Sequence, residues 1–221
     1  MRKIILLIIL VLIVISVGAW YSMQSLPSWA DNKKTQEQLT TDNLSEKIRK
    51  EGIRKFLGRK ASDVLKGQVI FDEMEFNAIL LASLKDDKNG RKLLSVSDAV
   101  RAFIKDDHLK ITAIVNLDKL EKVEPKARKA IEKFDRFFPF LKDSRVALSI
   151  YVTPIARKNK LAIKDDFHIK LGAIPISNDS LRALGAKLDR VNSTEMAVKY
   201  LSIKSIKLDE EKITLDVLPR L

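Results

Sequence analysis

The sequence predicts an α+β fold, with an N-terminal transmembrane helix followed by a curved, mostly antiparallel sheet wrapped around amphipathic helices. Two patterns predict the domain. Stretches in which apolar and polar side chains alternate come in adjacent pairs, which is typical of β-hairpins and so of antiparallel sheets. Other stretches carry apolar residues at a spacing of about 3.6, which is typical of helices that lie on a core.

Residues 1–23 are predicted to cross the membrane. An apolar run of about 17 residues, from Ile4 to Trp20, reaches the lower limit for spanning a bilayer. Arg2 and Lys3 precede the run. Because basic residues stay on the cytoplasmic side, the rest of the chain is expected outside a bacterial cytoplasmic (inner) membrane. A cleaved signal peptide is the alternative, since Val17-Gly18-Ala19 and Ser28-Trp29-Ala30 resemble small-residue cleavage sites, and it would also export the domain.

A polar tether, residues 24–42, is predicted between the anchor and an extracytoplasmic domain at 43–221. The domain begins with a helix from Asn43 that has a modest apolar stripe and an otherwise basic surface. Two interpretations stay open: the helix lies on anionic lipid, or it is an ordinary amphipathic helix with a basic solvated face. On the first interpretation, the membrane-surface residues are Lys47, Lys50, Arg54, Lys55, Arg59, Trp20 and Trp29.

The stretch FDEMEFNAILL, residues 71–81, contains three acids close together in a basic chain. Its spacing predicts a helix start rather than a catalytic pair. Asp72 is the expected N-cap and Glu75 the third helical residue, which is the arrangement of a capping box. Phe71 and Phe76 occupy the two positions of a hydrophobic staple, and Glu73 lies in the first turn, where negative charge is favoured.

The composition argues against several classes of function. The 221 residues include no cysteine, which excludes disulfides, cysteine metal sites and thiol nucleophiles. There are two histidines and seven glycines, and the nucleophile-elbow, phosphate-loop and zinc-protease motifs are missing. The net charge of +12 would suit nucleic acid, but basic aromatic platforms are absent and the predicted anchor exports the domain. We therefore expect no enzyme, no cofactor, no metal and no nucleic-acid partner.

Three hairpins are expected after a first short strand, KGQVIF. They comprise residues 93–105 with 108–117, two long strands at 144–156 and 161–172, and residues 199–218, with a loop at 86–90 before the first of them. The last hairpin is expected to turn at Asp209 to Glu211 and to contain a bulge near Lys204, where the alternation slips. His108 lies beside a turn and His168 on a polar face, so neither is expected to act as a ligand or base.

Two further helices are predicted at 124–140 and 174–190, and the first of these ends in a cluster of phenylalanines. Such a cluster fills a core or forms the lip of an apolar groove, and both interpretations stay open. On the second interpretation a lipid or other hydrophobic ligand is bound by Phe76, Ile79, Leu80, Phe134, Phe137 and Phe138.

The anchor, the stretch FDEMEFNAILL and the ending resemble the YpmS-like family of bacterial membrane-anchored proteins. The ending is the segment FHIKLGAIPIS, then a helix and the hairpin YLSIKSIKLDEEKITLDVL. The resemblance covers most of residues 66–218 as a pattern and carries no catalytic signature. It implies a strongly curved sheet wrapped around helices, similar to tubular lipid-binding domains. The chain departs from the family in its high lysine content and its basic helix at 43–60.

The expected function is therefore non-enzymatic: a single-pass membrane protein whose extracytoplasmic domain binds or passes on a lipid or other hydrophobic ligand. The alternative is a single-pass scaffold subunit of an envelope assembly, with an envelope protein docked on its basic surface. A carrier needs an open apolar site of several hundred Å³, whereas a scaffold needs only a filled core.

Overall fold

The computed structural model describes residues 26–30, 36–105, 107–123, 145–164, 166–177, 201–209 and 211–219. This part of the chain combines helices with antiparallel strands, which confirms the α+β class. After a single 3-10 turn at Ser28–Ala30, the helices are α1 (Gln36–Glu51), α2 (Ile53–Gly58), α3 (Ala61–Leu65), α4 (Glu73–Asp86), α5 (Lys88–Val96) and α6 (Leu117–Val123). The strands are β1 (Gln68–Asp72), β2 (Ser97–Ile104), β3 (Leu109–Asn116), β4 (Arg145–Val152), β5 (Pro154–Arg157), β6 (Lys160–Ile163), β7 (His168–Leu171), β8 (Ile174–Ile176), β9 (Leu201–Asp209) and β10 (Lys212–Pro219).

The described strands form three sheets, and each pairing is antiparallel. The orders are β1-β10-β9, β2-β3-β4-β7-β8 and β5-β6. The predicted hairpins β2–β3 and β9–β10 are confirmed, except that residues 93–96 of the first predicted strand belong to α5. In the second of these, Asp216 pairs with Ser205 and Val217 with Ile203, so Lys204 is the extra residue of the predicted bulge.

The two long strands predicted at 144–156 and 161–172 are each broken in two. Tyr151 pairs with His168, and Pro154 pairs with Ile163. Between these two pairs, two residues of the first strand lie opposite four of the second. Phe167 lies in this wide bulge and is 5% exposed. Burial of its ring accounts for the break, which simple alternation does not reveal, and the bulge bends the hairpin.

The bent hairpin joins the two larger sheets. Its outer half is the β5–β6 pair, which turns through Lys158 and Asn159, both with positive φ. At this tip the amide of Ile203 in β9 donates to the Asn159 carbonyl over 3.2 Å. The inner half, β4 with β7, belongs to the five-stranded sheet, so one hairpin spans from that sheet to the three-stranded sheet.

The loop expected at 86–90 is wrong, because α5 begins at Lys88. The Asp87 side chain caps this helix by accepting from the amide of Gly90 over 2.7 Å. Gly90 is a site of close packing rather than a turn. A β-carbon there would lie 2.3 Å from the carbonyl oxygen of Leu84.

The first helix begins at Gln36, seven residues before the expected Asn43, so part of the predicted tether is helical. Its start was missed because residues 36–42 carry no apolar stripe, and the residue buried there, Thr41, is polar. The helix ends at Glu51 because Gly52 adopts a φ of 85°. The single helix expected to run to residue 60 is therefore divided into two, α1 and α2.

The main core lies between the three-stranded sheet, α1, α4 and one end of the five-stranded sheet. Its buried side chains include Val69, Phe71, Ala78, Ile104, Leu109, Phe167, Ile203, Ile213 and Val217. A second core lies where α5 and α6 cover the other end of the five-stranded sheet. Its buried side chains are Val96, Ala113 and Val115.

Several predicted elements lie outside the described residues: the anchor at 1–23, the helix at 124–140 and, beyond Ser177, the helix at 174–190. Residues 174–176, which precede the cap expected near Ser177 or Asn178, form β8. Among the helices that are described, none has the length and apolar character needed to cross a membrane.

Candidate functional site

The five-stranded sheet has one face that is apolar on all its strands. Alternation along each strand, combined with the pairing register, places these side chains together. The face consists of Val100, Ala102 and Ile104 of β2; Leu109, Ile111, Ala113 and Val115 of β3; Val146, Leu148, Ile150 and Val152 of β4; Ile169 and Leu171 of β7; and Ile174 and Ile176 of β8.

Burial is uneven along this face. The ends of β3 and β4 are buried, at Leu109 and Val152 in the main core and at Val115 and Val146 on the side of the second core. Ala102 and Ala113 in the middle are buried as well, but the larger side chains there, and the extension of the face onto β7 and β8, are only half-buried. We call this half-buried part the apolar strip, and it comprises Ile111, Leu148, Ile150, Ile169, Leu171, Ile174 and Ile176.

Four isoleucines of the apolar strip form a straight row. Ile111 pairs with Ile150, Ile150 with Ile169, and Ile169 with Ile176. At about 4.8 Å between neighbouring strands, the row is roughly 14 Å long. A surface of this shape can receive an extended hydrocarbon chain, which has no polar groups that need partners.

The residues predicted to bind a ligand fall into two groups. Phe76 and Ile79 of α4 are half-buried and pack against the main core, as do Ile150 and Ile169 of the apolar strip. Leu80 is also half-buried. Helix α4 and the apolar strip thus border the same core. The other group, Phe134, Phe137 and Phe138, lies outside the described residues.

The three acids of FDEMEF have structural partners, and the predicted capping box is confirmed. The Asp72 carboxylate accepts from the Glu75 amide over 2.7 Å, and the Glu75 carboxylate accepts from the Asp72 amide over 3.2 Å. Glu75 also pairs with Lys60 at 2.8 Å, and Glu73 pairs with Arg101 at 2.9 Å. Glu73 in addition accepts from a β2 amide, so the cluster joins α4 to its neighbours.

The basic helix surface is partly neutralised by nearby acids. Arg59 pairs with Glu51, and Arg49 with Glu46. Lys85 of α4 donates to Glu46 over 2.8 Å, and this hydrogen bond holds the pKa of Glu46 below its usual range.

Of the predicted membrane-surface residues, the side chains of Lys47, Lys50, Lys55 and Arg59 are exposed. Trp29 is half-buried, with its ring centroid 5.7 Å from that of Phe103. Trp20 and the Arg54 side chain lie outside the described part of the chain.

A cavity of about 320 Å³ lies between α1, α4, β2 and Trp29. Its wall is mixed, with Leu81 and Ile114 beside Lys85 and Arg101. The Ser97 hydroxyl, also at this wall, is buried and has no hydrogen-bond partner among the described residues. Lys85 and Arg101 are already engaged with acids, so their charges do not make the cavity a charged binding site.

Asp165, Asp166 and His168 would suggest chemistry only if they met in a polar cleft. Asp166 is exposed and pairs with Lys164 at 3.0 Å, and Asp165 is not described. His168 is exposed and stacks on the ring of Tyr151 at 4.5 Å. His108 approaches the same ring at 5.5 Å.

The meeting of the two histidines at Tyr151 was missed from the sequence. His108 and His168 are 60 positions apart, and nothing in the local pattern relates them. The one available signal was alternation, which places His168 on the same strand face as Lys170. Their common location depends on strand register, which the sequence pattern alone does not define here.

Comparison with protein-family models, with curated proteins and with solved structures gives no match to this chain. The resemblance to the YpmS-like family therefore stays a prediction.

Proposed function

We propose that this protein is a single-pass protein of the bacterial inner membrane. Its extracytoplasmic domain binds, or passes on, a lipid or other hydrophobic ligand and performs no catalysis. The observation that carries the proposal is the apolar strip, where branched aliphatic side chains from four adjacent strands remain half-buried. Monomeric proteins rarely leave such a contiguous apolar surface without a use for it.

The bent hairpin supports the same proposal. By running from the five-stranded to the three-stranded sheet, it gives the strands the curvature of a sheet that wraps around a ligand or a helix. Phe76 and Ile79 of α4 border the same core as the strip, so α4 would form the second wall of the groove. Covering such a strip with an acyl chain contributes about 0.8 kcal/mol per buried methylene.

The test is native mass spectrometry of the full chain purified in detergent, with the bound lipids extracted and identified. Wild-type protein is expected to carry a lipid of defined class. Ile169→Trp places a larger side chain in the middle of the isoleucine row and fills the groove. This variant is expected to lose most of the bound lipid. A wild-type chain without bound lipid would contradict the proposal.

The matched control is Ile70→Trp on β1. Ile70 is 43% exposed and lies on the solvent face of the three-stranded sheet, so the same substitution leaves the apolar strip intact. Both variants keep the predicted anchor, and lipids held by that segment are therefore common to them. Equal lipid loss in both variants, with unchanged circular dichroism, would sink the assignment to the strip.

The alternative, a scaffold subunit, is favoured by one observation: Lys47, Lys50 and Lys55 form an exposed basic surface. Its basic side chains would dock an acidic envelope protein. Crosslinking of the full chain in cells, with Lys47→Gln and Lys50→Gln introduced together, tests it. The scaffold function would replace the carrier function if the wild-type chain carries no lipid and crosslinks to a specific protein, and if the double variant loses that crosslink.

A further inference from the structure

The face of the five-stranded sheet opposite the apolar strip has a row of aromatic and cationic side chains. Phe103 of β2 pairs with Lys110 of β3, Lys110 with Tyr151 of β4, and Tyr151 with His168 of β7. The four side chains therefore lie side by side across four strands. Lys170, two residues beyond His168, is on the same face.

These groups converge on the ring of Tyr151. The Nζ atoms of Lys110 and Lys170 lie 5.8 Å and 5.0 Å from its centroid, within the range of cation–π contacts. The rings of His168 and His108 lie 4.5 Å and 5.5 Å away. We call this group the Tyr151 cluster, and it comprises Phe103, His108, Lys110, Tyr151, His168 and Lys170.

The charge of the cluster is positive. Among the described residues, no carboxylate lies within ion-pair distance, 4.0 Å, of the Nζ atoms of Lys110 or Lys170. The acids that border the cluster have other partners: Asp107 pairs with His108, Asp166 with Lys164, and Glu73 with Arg101. Two lysines beside a half-buried tyrosine form a surface suited to an anionic group that is attached to an apolar one.

The segment that follows the predicted anchor packs against this same row. Trp29 packs on Phe103, with the ring centroids 5.7 Å apart. Trp29 is six residues after Met23, where the predicted anchor ends, and six residues reach at most about 20 Å. If residues 1–23 cross the membrane as proposed, the Tyr151 cluster lies close to the outer membrane–water boundary.

We propose that the Tyr151 cluster docks the domain on the anionic phospholipid headgroups of the membrane that holds its anchor. This inference rests on the anchor of the proposed function and adds the orientation of the domain. Lysines bind the phosphates of an acidic lipid surface, and Trp29, Phe103 and Tyr151 are rings of the kind that settle at its interface. The apolar strip, on the other face of the sheet, is then directed away from the headgroups.

The α1 surface is the competing candidate for docking, but its charges are mixed. Glu46 and Glu51 lie among its basic residues and pair with Arg49 and Arg59. The cluster instead combines unopposed lysines with aromatic rings. It is also contacted by Trp29, which lies six residues after the predicted anchor.

The orientation is testable because the chain has no cysteine, so one introduced cysteine takes one fluorescent label. Pro175→Cys places the label on an exposed position paired with Lys170, on the cluster face. The labelled full chain is inserted into nanodiscs whose lipids carry a headgroup nitroxide quencher. Strong quenching is expected in discs with phosphatidylglycerol and weak quenching in discs with phosphatidylcholine alone.

Lys110→Gln with Lys170→Gln is the test variant. The ratio of docked to undocked domain is expected to fall about fivefold per lysine, so roughly 25-fold for the pair. Lys207→Gln with Lys212→Gln is the matched control, because both lysines are exposed on the other sheet. It is expected to keep the wild-type quenching.

Three outcomes would overturn the docking. The first is equal quenching in both lipid compositions, and the second is no effect of the test variant. The third is loss of quenching in Lys47→Gln with Lys50→Gln alone, which would transfer docking to α1. Insertion is measured separately, by comigration of the chain with the discs. A chain that does not comigrate refutes the anchor of the proposed function, whereas a chain that comigrates without lipid-dependent quenching refutes only the docking.

Discussion

The side chain of Asn77 hydrogen-bonds both backbone groups of Ala102. Its Nδ2 donates to the Ala102 carbonyl over 2.8 Å, and its Oδ1 accepts from the Ala102 amide over 2.7 Å. Since β2 is an edge strand of the five-stranded sheet, the Asn77 amide takes the place of a neighbouring strand. Helix α4 thereby closes an edge that would otherwise be open to pairing with another chain.

Asn77→Ala is therefore expected to destabilise the domain. It leaves two buried backbone groups of Ala102 without partners, which costs about 2 to 4 kcal/mol in the free energy of unfolding. Chemical denaturation measures this change. Asn89→Ala, at an exposed position of α5, is the matched control and is expected to change stability by less than about 0.5 kcal/mol. Equal effects of the two substitutions would refute the role of Asn77.

Thr112 and Ser149 form a buried pair of hydroxyls between β3 and β4. Their oxygens are 2.9 Å apart, and the residues are 0% and 4% exposed. Thr112→Val leaves the Ser149 hydroxyl unpaired and is expected to cost about 1 to 3 kcal/mol. Adding Ser149→Ala removes the unpaired group, so the double variant is expected to be less destabilised than the sum of the single variants. A strictly additive double-mutant cycle would contradict this coupling.

Asp216 is expected to make stability depend on acid pH. The Ser205 hydroxyl donates to its carboxylate, and with the Gln68 amide at 3.1 Å and the nearby Lys207 it holds the pKa of Asp216 below its usual range. Because the folded pKa is lowered, the stabilisation is present at neutral pH and is lost as pH falls through the folded value, below about pH 4.

Ser205→Ala removes the main cause of that shift. It is expected to lower stability at pH 7 and to have a smaller effect at the acid end of a pH series of denaturation curves. Ser202→Ala, three residues earlier on the same strand, is the control and is expected to show no such convergence. Parallel curves for Ser205→Ala and wild type across the series would rule out the linkage.

Gly90 and Gly58 should respond oppositely to alanine. At Gly90 the new β-carbon meets the Leu84 backbone, so Gly90→Ala is expected to destabilise by about 1 to 3 kcal/mol. At Gly58 nothing lies within 4 Å, and alanine in a helix is favoured over glycine by about 0.5 to 1 kcal/mol. Thermal melts of the two variants check the signs. A stable Gly90→Ala protein would mean that α4 and α5 do not approach as closely as described.

The sequence predicted what short-range patterns define. The capping box at Asp72 and Glu75, the bulge at Lys204 and two of the hairpins follow from residues within a few positions of one another. The helix α5 was mistaken for a loop because Asp87 and Gly90 are also typical of turns, and only the contact with Leu84 explains the glycine.

The candidate sites required information that local patterns do not contain. Alternation placed His168 on a polar strand face, but the register that aligns it with Tyr151 and Lys110 comes from tertiary pairing. The isoleucine row was missed for the same reason. The contact of Asn77 with the edge strand was not predicted either, since the sequence around an asparagine in an apolar helix does not indicate which residue it contacts.

The pairing of β1 with β10 sets the order in which this protein can reach its final form. The strand formed by residues 68–72 has β10 as its partner, and β10 is the middle strand of its sheet although it comes last among the described strands. A nascent chain cannot complete this sheet before residues 212–219 have been made. A chain cut before them would leave the strands at 68–72 and 201–209 without their shared partner, with edges open to pairing with other chains. Residues 212–219 thus protect the other two strands of their sheet, and a chain truncated before them is expected to aggregate more readily.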